Sequence, residues 1–594
     1  MLGKRSPQRG LFEGDSRYAR FVGPKSFYGF LASERGKLFR DKDFADLYCS
    51  ANGRASVPPS LLATALVLQT HDRVSDAEAK DRADYDLRWK VALGIELEER
   101  PFAKSTLQLF RAQLILHEKA RAVFCGSLEL AKASGFLRRR KKLHAALDTM
   151  AILGRGAVRD TYNLLSDGIA KLVRALAGHA QTDSAGWAAE HGFERYLTSN
   201  VKGQADVDWD DASSRQRFLA EIVADAKRLL SLAGEACSRS GKDSDAAQEI
   251  EQAATLLTQL LHQDIEYKND EPQIKEGVAK DRIPSVHDPE MRHGRKSSTG
   301  RFNGHKGAVA VDTESQLITA VDVIPGNAHD SEKTLDLVEQ SEANTGMEVA
   351  DTVGDCAYGT GETRCEFAEA GRKLTARVPR PPQTGKFPKT AFKISRTEDR
   401  VTCPGGCTTK KFNWAKTGSK RIGKRYRVKR FVFPKQRCAT CPLRAECVSG
   451  AGPRTITLHP QEAMMQRARR HQQTEEFRDA NRRRQTVEHR IARLRQLGVR
   501  QARYVGRAKT LFQLLMAATV ANLTLVARAT GQIASFCARI LRRWFGEMAR
   551  RGVWARFDRT IRLLGWGWRC ARPVPVPAAT LPAPHEKGLF RPGF

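Results

Sequence analysis

The stretch Arg482-Arg-Arg-Gln-Thr-Val-Glu488-His-Arg-Ile-Ala-Arg-Leu-Arg495 sets one carboxylate inside a run of arginines. Phe477, Ala480, Val487, Ile491 and Leu494 recur at spacings of three, four and seven, which predicts one amphipathic helix laid on a core. Arg484, Glu488 and Arg495 are four and seven residues apart, so a helix carries them on one face. Alone, a Glu among arginines is a neutralised surface charge. It gains meaning only if distant segments bring further carboxylates to the same place.

Charge narrows the class of partner. The 594 residues carry 100 Lys and Arg against 67 Asp and Glu, a net charge of +33. Such a surplus points to a polyanion, because each neutralised phosphate releases condensed counterions. The excess is uneven: residues 451–594 hold 28 bases and 8 acids, while residues 201–270 hold 8 bases and 14 acids. The basic footprint therefore belongs to the C-terminal third, around Glu488.

A mean hydropathy of −0.48 predicts a soluble globular chain. No apolar stretch follows the N-terminal Met-Leu-Gly-Lys-Arg-Ser-Pro, so no secretory signal is expected. The longest uncharged run, Thr510 to Ala527, includes Gln513, Thr519, Asn522 and Thr524 and reads as a buried core helix rather than a membrane span. Twelve cysteines, five of them close together, suit a reducing cytoplasm better than a disulfide framework.

Along the chain, residues 1–140 read as a helical N-terminal domain. Pro58-Pro59 opens the apolar run Leu61 to Leu68, and Ser75-Asp76 caps the next helix. DNA binding or simple scaffolding fits this domain equally. Five bases, Arg138 to Lys142, lead into an apolar run that ends in Asp148 and reads as a buried strand. Residues 165–279 form an acidic insertion of long amphipathic helices. Two strands, 307–312 and 317–324, make a hairpin about Asp312-Thr-Glu-Ser. A helix at 331–341, a strand at 348–355, a helix at 362–370 and a strand at 373–378 follow. The order predicts an α/β fold, a mixed sheet covered by helices. Its parts are 141–164 with 280–385, a cysteine-rich insertion at 386–460, returning helices at 461–530, and basic helices with a Pro-rich tail at 531–594.

Asp148 ends one strand, Asp355 ends another, and Glu488 comes from a helix able to cross the sheet edge. Three carboxylates so placed can converge on two divalent cations, Mg²⁺ or Mn²⁺, which take oxygen ligands and clamp both oxygens of an in-line phosphodiester displacement.

Several motifs, in order, carry a resemblance: Leu147-Asp-Thr-Met-Ala-Ile-Leu-Gly-Arg-Gly, Asp288-Pro-Glu-Met-Arg-His-Gly-Arg-Lys296, Arg301-Phe-Asn-Gly-His305-Lys306, Asp355-Cys-Ala-Tyr-Gly, Arg484-Gln-Thr-Val-Glu488-His-Arg and Arg503-Tyr-Val-Gly-Arg-Ala-Lys. Over roughly residues 40 to 530 the chain resembles bacterial insertion-sequence transposases with a DDE core, most closely the group numbered eleven eighty-two. The resemblance implies a ribonuclease H-like sheet and Asp148, Asp355 and Glu488 as catalytic and Mg²⁺-binding residues. It implies cleavage of DNA at the terminal inverted repeats and joining of the freed 3′-hydroxyl to target DNA, in a homodimer or larger assembly on the bacterial nucleoid. It places Arg484 and Arg495 at the Arg and Lys of a Tyr-Arg-Glu-Lys signature, with Asn481 in place of the Tyr. Arg484, Arg495, Lys296, His305 and Lys306 are then expected to contact DNA phosphates, and His287, His293 and His305 to serve structure or phosphates. A nuclease with the same triad and no strand joining, and a non-catalytic zinc-bearing DNA-binding descendant, are the competing functions.

Cys403-x3-Cys407 and Cys438-x2-Cys441-x5-Cys447 put five thiols into 45 residues, paired as structural Zn²⁺ ligands are. Cys438 and Cys441 are the firmest of these, and Cys403, Cys407 and Cys447 compete for the rest. Between the pairs, the bases and aromatics of 410–416 and 420–431 suit backbone contact plus stacking on DNA.

Overall fold

A near-continuous apolar run, the signature of a strand buried on both faces, makes Lys142–Leu153 (β1) the middle of the main sheet. The computed structural model describes residues 1–5, 14–49, 53–137, 142–239, 244–296, 300–379, 386–395, 397–417 and 426–550, the backbone alone from 532 on. The Arg138 basic run up to residue 141, the basic tip 418–425 and the Pro-rich tail lie outside the described residues. The chain forms two compact units, Met1–Arg528 and Ala529–Phe594.

The hairpin strands are Arg301–Asp312 (β2) and Ile318–Pro325 (β3), followed by Glu348–Gly354 (β4) and Leu374–Ala376 (β5). Across the sheet the order is β3-β2-β1-β4-β5, with the short strand Arg292–Arg295 also pairing on β2. The first three run antiparallel, and β1, β4 and β5 run parallel. This is the mixed α/β arrangement expected of a ribonuclease H-like core. Asp312 fixes the hairpin: its carboxylate accepts from the backbone of His144 and Ser315 and from the Ser315 hydroxyl, which satisfies three donors at the buried turn.

The N-terminal helices begin where local chemistry says they should. Pro59 opens the helix Pro59–Asp72, and the Ser75 hydroxyl accepts from the Glu78 N–H to cap Asp76–Tyr85. Leu61, Leu66, Trp89 and Phe124 from these helices and Leu147, Val309 and Val321 from the sheet belong to one continuous core. The inserted helices Thr161–His179, Ala212–Arg239 and Asp245–Asp264 enclose a core of their own, built on Leu164, Ile222 and Leu257.

The helix from Arg507 is long and apolar enough to cross a bilayer up to Gly531. Leu514, Met516, Val520 and Leu523 are nevertheless buried against the sheet core, and Asn522 bonds both backbone groups of Ile318. A buried core helix is what its embedded amides predicted.

The stretch around Glu488 departs from expectation. It forms two helices, Glu475–Arg483 and Gln485–Gln496, rather than one. Arg484 caps both, and the Val487 N–H bonds the Arg484 carbonyl three residues back, a tighter turn that re-aims the second helix. The apolar spacing persists across the joint, which is why periodicity alone does not reveal it.

Candidate active site

On β1, His144, Ala146 and Asp148 share one face, because side chains alternate along a strand. The parallel register pairs His144 with Asp351 and Ala146 with Val353; Asp355 follows directly on the end of β4, and its charge acts on Asp148. The His144 ring also bonds the Asp351 carboxylate. Gly354 is required here, since a Cβ would lie 2.7 Å from the Tyr358 ring, which folds back beneath the strand end.

The helix Gln485–Gln496 lies over this face with Val487, Ile491 and Leu494 inward. Thr486 reaches the Thr313 carbonyl at 3.4 Å, and Arg483 stands 3.6 Å from Asp351. Arg484 links the helix to the acids. Its Nη2 is 2.6 Å from Glu488 Oε1, and its charge acts on Asp148 and on the Tyr358 hydroxyl.

Burial, with Asp355 adding like charge, pushes the Asp148 carboxyl up, against the backbone Thr149 N–H, Lys296 and Arg484, which hold it down. Tyr358 is 1% exposed, and its hydroxyl has no hydrogen-bond partner. Burial and the field of Asp148, Asp330 and Asp355 push that phenol well above its ordinary value. As they stand, no three Asp, Glu, His or Cys side chains among the described residues are drawn tightly enough to hold a metal ion. The donor chemistry nonetheless fits a divalent cation. Asp355 adds like charge to Asp148, Asp148 is largely desolvated, and Glu488 is half exposed, its carboxylate held by the Arg484 ion pair.

The expected phosphate contacts separate. Arg484 and Lys296 act on Asp148, and Arg495 is exposed on the helix that carries Glu488. His305 is not at the surface. It is fully buried, 3.5 Å from the equally buried Asp288, because it lies on the covered face of β2. Lys306 is buried too, bonded to the Ala328 carbonyl at 2.6 Å and to Asp330 at 2.8 Å. Both act inside the fold rather than on DNA. The other two histidines divide: His287 is exposed, and His293 bonds Asn303.

Sequence reading missed Asp330. Its carboxylate accepts from Thr149 at 2.9 Å as well as from Lys306, and its charge reaches Tyr358. The only signal was a polar His-Asp-Ser after a strand, which reads as a turn. Arg490 was missed as well. Its spacing looked like solvated surface, yet it is 8% exposed and two of its nitrogens have no partner.

The residues of the Asp288 motif serve the fold beside the site. Asp288 accepts from the Gly506 N–H at 3.3 Å and Glu290 from the Arg507 N–H at 2.7 Å, so two carboxylates sit at the start of the Arg507 helix. Acids suit that end because of the helix dipole.

Among known families, the transposase DDE domain matches residues 402–527, which hold Glu488, and a transposase domain (DUF772) matches residues 32–113 in the N-terminal helices. Both matches are to transposase domains and are consistent with an insertion-sequence DDE transposase. No curated protein and no solved structure matches the chain. Asp148 and Asp355 fall outside the matched residues. The hairpin Phe412–Thr417 with Tyr426–Val432 carries the interleaved bases and aromatics. The Arg427 guanidinium lies 4.7 Å from the centre of the half-exposed Trp414 ring and the Lys429 ammonium 4.8 Å from that of Phe412.

Proposed function

We propose that the chain is a transposase that cuts DNA at the ends of an insertion sequence and joins the freed 3′-hydroxyl ends to target DNA. The observation that carries this reading is that Asp355 and Arg484 both act on the charge of Asp148 while Arg484 is ion-paired to Glu488, which brings the three acids into one electrostatic neighbourhood. Asp148, Asp355 and Glu488 would hold two Mg²⁺ or Mn²⁺ ions. Such a pair, when bound, clamps the attacking and leaving oxygens of phosphodiester exchange.

The chain's own groups do the rest. In the absence of the cation Arg484 neutralises Glu488, and on DNA its planar fork is suited to a phosphate oxygen. Lys296 and Arg495 offer further positive charge to the backbone on either side. Lys306 holds Asp330 against Thr149 and so fixes the strand that presents Asp148. The Tyr358 hydroxyl, buried and unbonded among carboxylates, is a donor ready for an oxygen that enters the site. The basic hairpin about Trp414 would stack on or track the DNA, and pairing of two ends would require two copies of the chain.

Precleaved end duplexes carrying a free 3′-hydroxyl, incubated with a supercoiled target and Mg²⁺, test this directly. Joined products that vanish in Asp148→Asn, Asp355→Asn and Glu488→Gln are expected. Mg²⁺-dependent cutting with no joining would replace the proposal with a nuclease, and neither activity would leave a DNA-binding protein.

A further inference from the structure

The segment between Phe387 and Leu458 is held by very little. Among the described residues its core cluster has five buried side chains, Phe392, Val401, Phe431, Phe433 and Ile456, with partly buried side chains that include four of the cysteines packed against it, in a segment of two three-stranded sheets. A core this small seldom holds a fold without a staple. Three separate loops of the segment carry thiols. Cys403 and Cys407 close a tight turn in which the Cys403 N–H bonds the Cys407 carbonyl at 2.8 Å and Gly406 takes a φ of +79°. Cys438 sits in the short helix Lys435–Ala439, with Cys441 just beyond it, and Cys447 ends the helix Arg444–Cys447.

All five thiols line one cavity of about 630 Å³. They are not interchangeable within it. A Cβ at Gly405 would stand 3.5 Å from the Cys441 sulfur and 3.8 Å from that of Cys403, so the first loop and the second face each other across the glycine. Cys403, Cys438 and Cys441 lie close enough to act electrostatically both on Cys407 and on Cys447. These three thiols are thus central to the set.

We propose that this segment binds one structural Zn²⁺ through Cys403, Cys438 and Cys441, with a fourth thiolate from Cys407 or Cys447. No three sulfurs converge within ligating distance as they stand. Rotation about each Cα–Cβ bond carries a thiol between staggered positions, and metal binding would draw the set to the Zn–S distance of about 2.3 Å. A tetrathiolate zinc centre carries net negative charge, and the surroundings offset it. Arg437 stands beside Cys407 and Arg454 beside Cys447, while Arg444 donates to the Cys438 carbonyl at 3.0 Å. Among the described residues that line this cavity there is no carboxylate and no histidine, so the donor set selects a thiophilic ion. The site does not depend on the catalytic reading, because none of its ligands belongs to the acidic cluster.

Metal analysis of the full-length chain, purified without chelator under reducing conditions, is expected to give one zinc per chain. Replacing that zinc with Co²⁺ is expected to give the intense near-ultraviolet charge-transfer absorption of cobalt thiolates. Cys438→Ser, Cys441→Ser and Cys403→Ser each lose the metal, and one of Cys407→Ser and Cys447→Ser loses it too. Since such variants can misfold for other reasons, the wild-type chain is also titrated with a mercurial in the presence of a zinc indicator. Release of one equivalent as thiols are consumed supports the site, together with new proteolytic cleavage confined to 386–458. Fewer than about one zinc in ten chains, or full metal retention in any of the three central variants, overturns it.

Discussion

Replacing Arg490 with Met should make the protein more stable. Arg490 is on the buried side of the helix that carries Glu488, two of its nitrogens have no partner, and burial, with Arg493 and Arg528 beside it, pushes its pKa down to about 10 from 12.5. A depression of that size corresponds to about 3 kcal/mol against the charged folded state. The sign follows from linkage. The group is protonated in both folded and unfolded chains at neutral pH, so the penalty is fully present at any pH below about 10. Methionine keeps an unbranched stem of similar reach and removes the charge, and replacing buried ionic groups by apolar ones is often stabilising. Urea unfolding of the full-length chain at pH 7, followed by far-ultraviolet circular dichroism, should show a gain of about 1 to 3 kcal/mol in the transition of the main unit. An unchanged or lowered midpoint would mean that the guanidinium finds a partner in solution, and the reasoning from burial would fail.

Three further outcomes follow from the acidic face. Asp148→Asn should abolish end cutting and yet raise the thermal midpoint in metal-free buffer at pH 7, because the Asp148 carboxyl titrates above its ordinary value and its charge destabilises the fold as pH rises past that value. Mg²⁺ should stabilise the wild type and leave this variant unmoved in a melting assay. Asp330→Asn should lower the cutting rate about tenfold or more while Mg²⁺ still binds by titration calorimetry, since Asp330 acts through Thr149 and Lys306; an unaltered rate would remove it from the site. Glu290→Gln weakens the start of the Arg507 helix and should cost about 1 kcal/mol in chemical unfolding, with hydrogen exchange rising first at residues 507–510.

Local rules carried far into this fold. Pro59 and Ser75 start helices where capping chemistry places them, and the β1 run and the hairpin about Asp312 follow from apolar patterning and a turn. Asp355 was legible because it follows directly on the end of β4, whereas Asp148, expected at a strand end, lies within β1, which continues to Leu153 in the interior of the sheet. Three features were hidden because they depend on contacts between remote segments. The break at Arg484 leaves the apolar period intact. His305 and Lys306 looked like surface bases, but the sheet is covered on both faces and Asp288 and Asp330 meet them there. Arg490 has the spacing of an exposed arginine and is buried only because the Arg507 helix lies against its own.

The arrangement of the three carboxylates along the chain also orders them in time. Asp148 and Asp355 come near each other as soon as β1 and β4 have paired, while Glu488 is translated 133 residues after Asp355. Under the proposed function, a chain still emerging from the ribosome, or one truncated within the cysteine-rich segment, would hold two of the three proposed metal-binding carboxylates and lack Glu488.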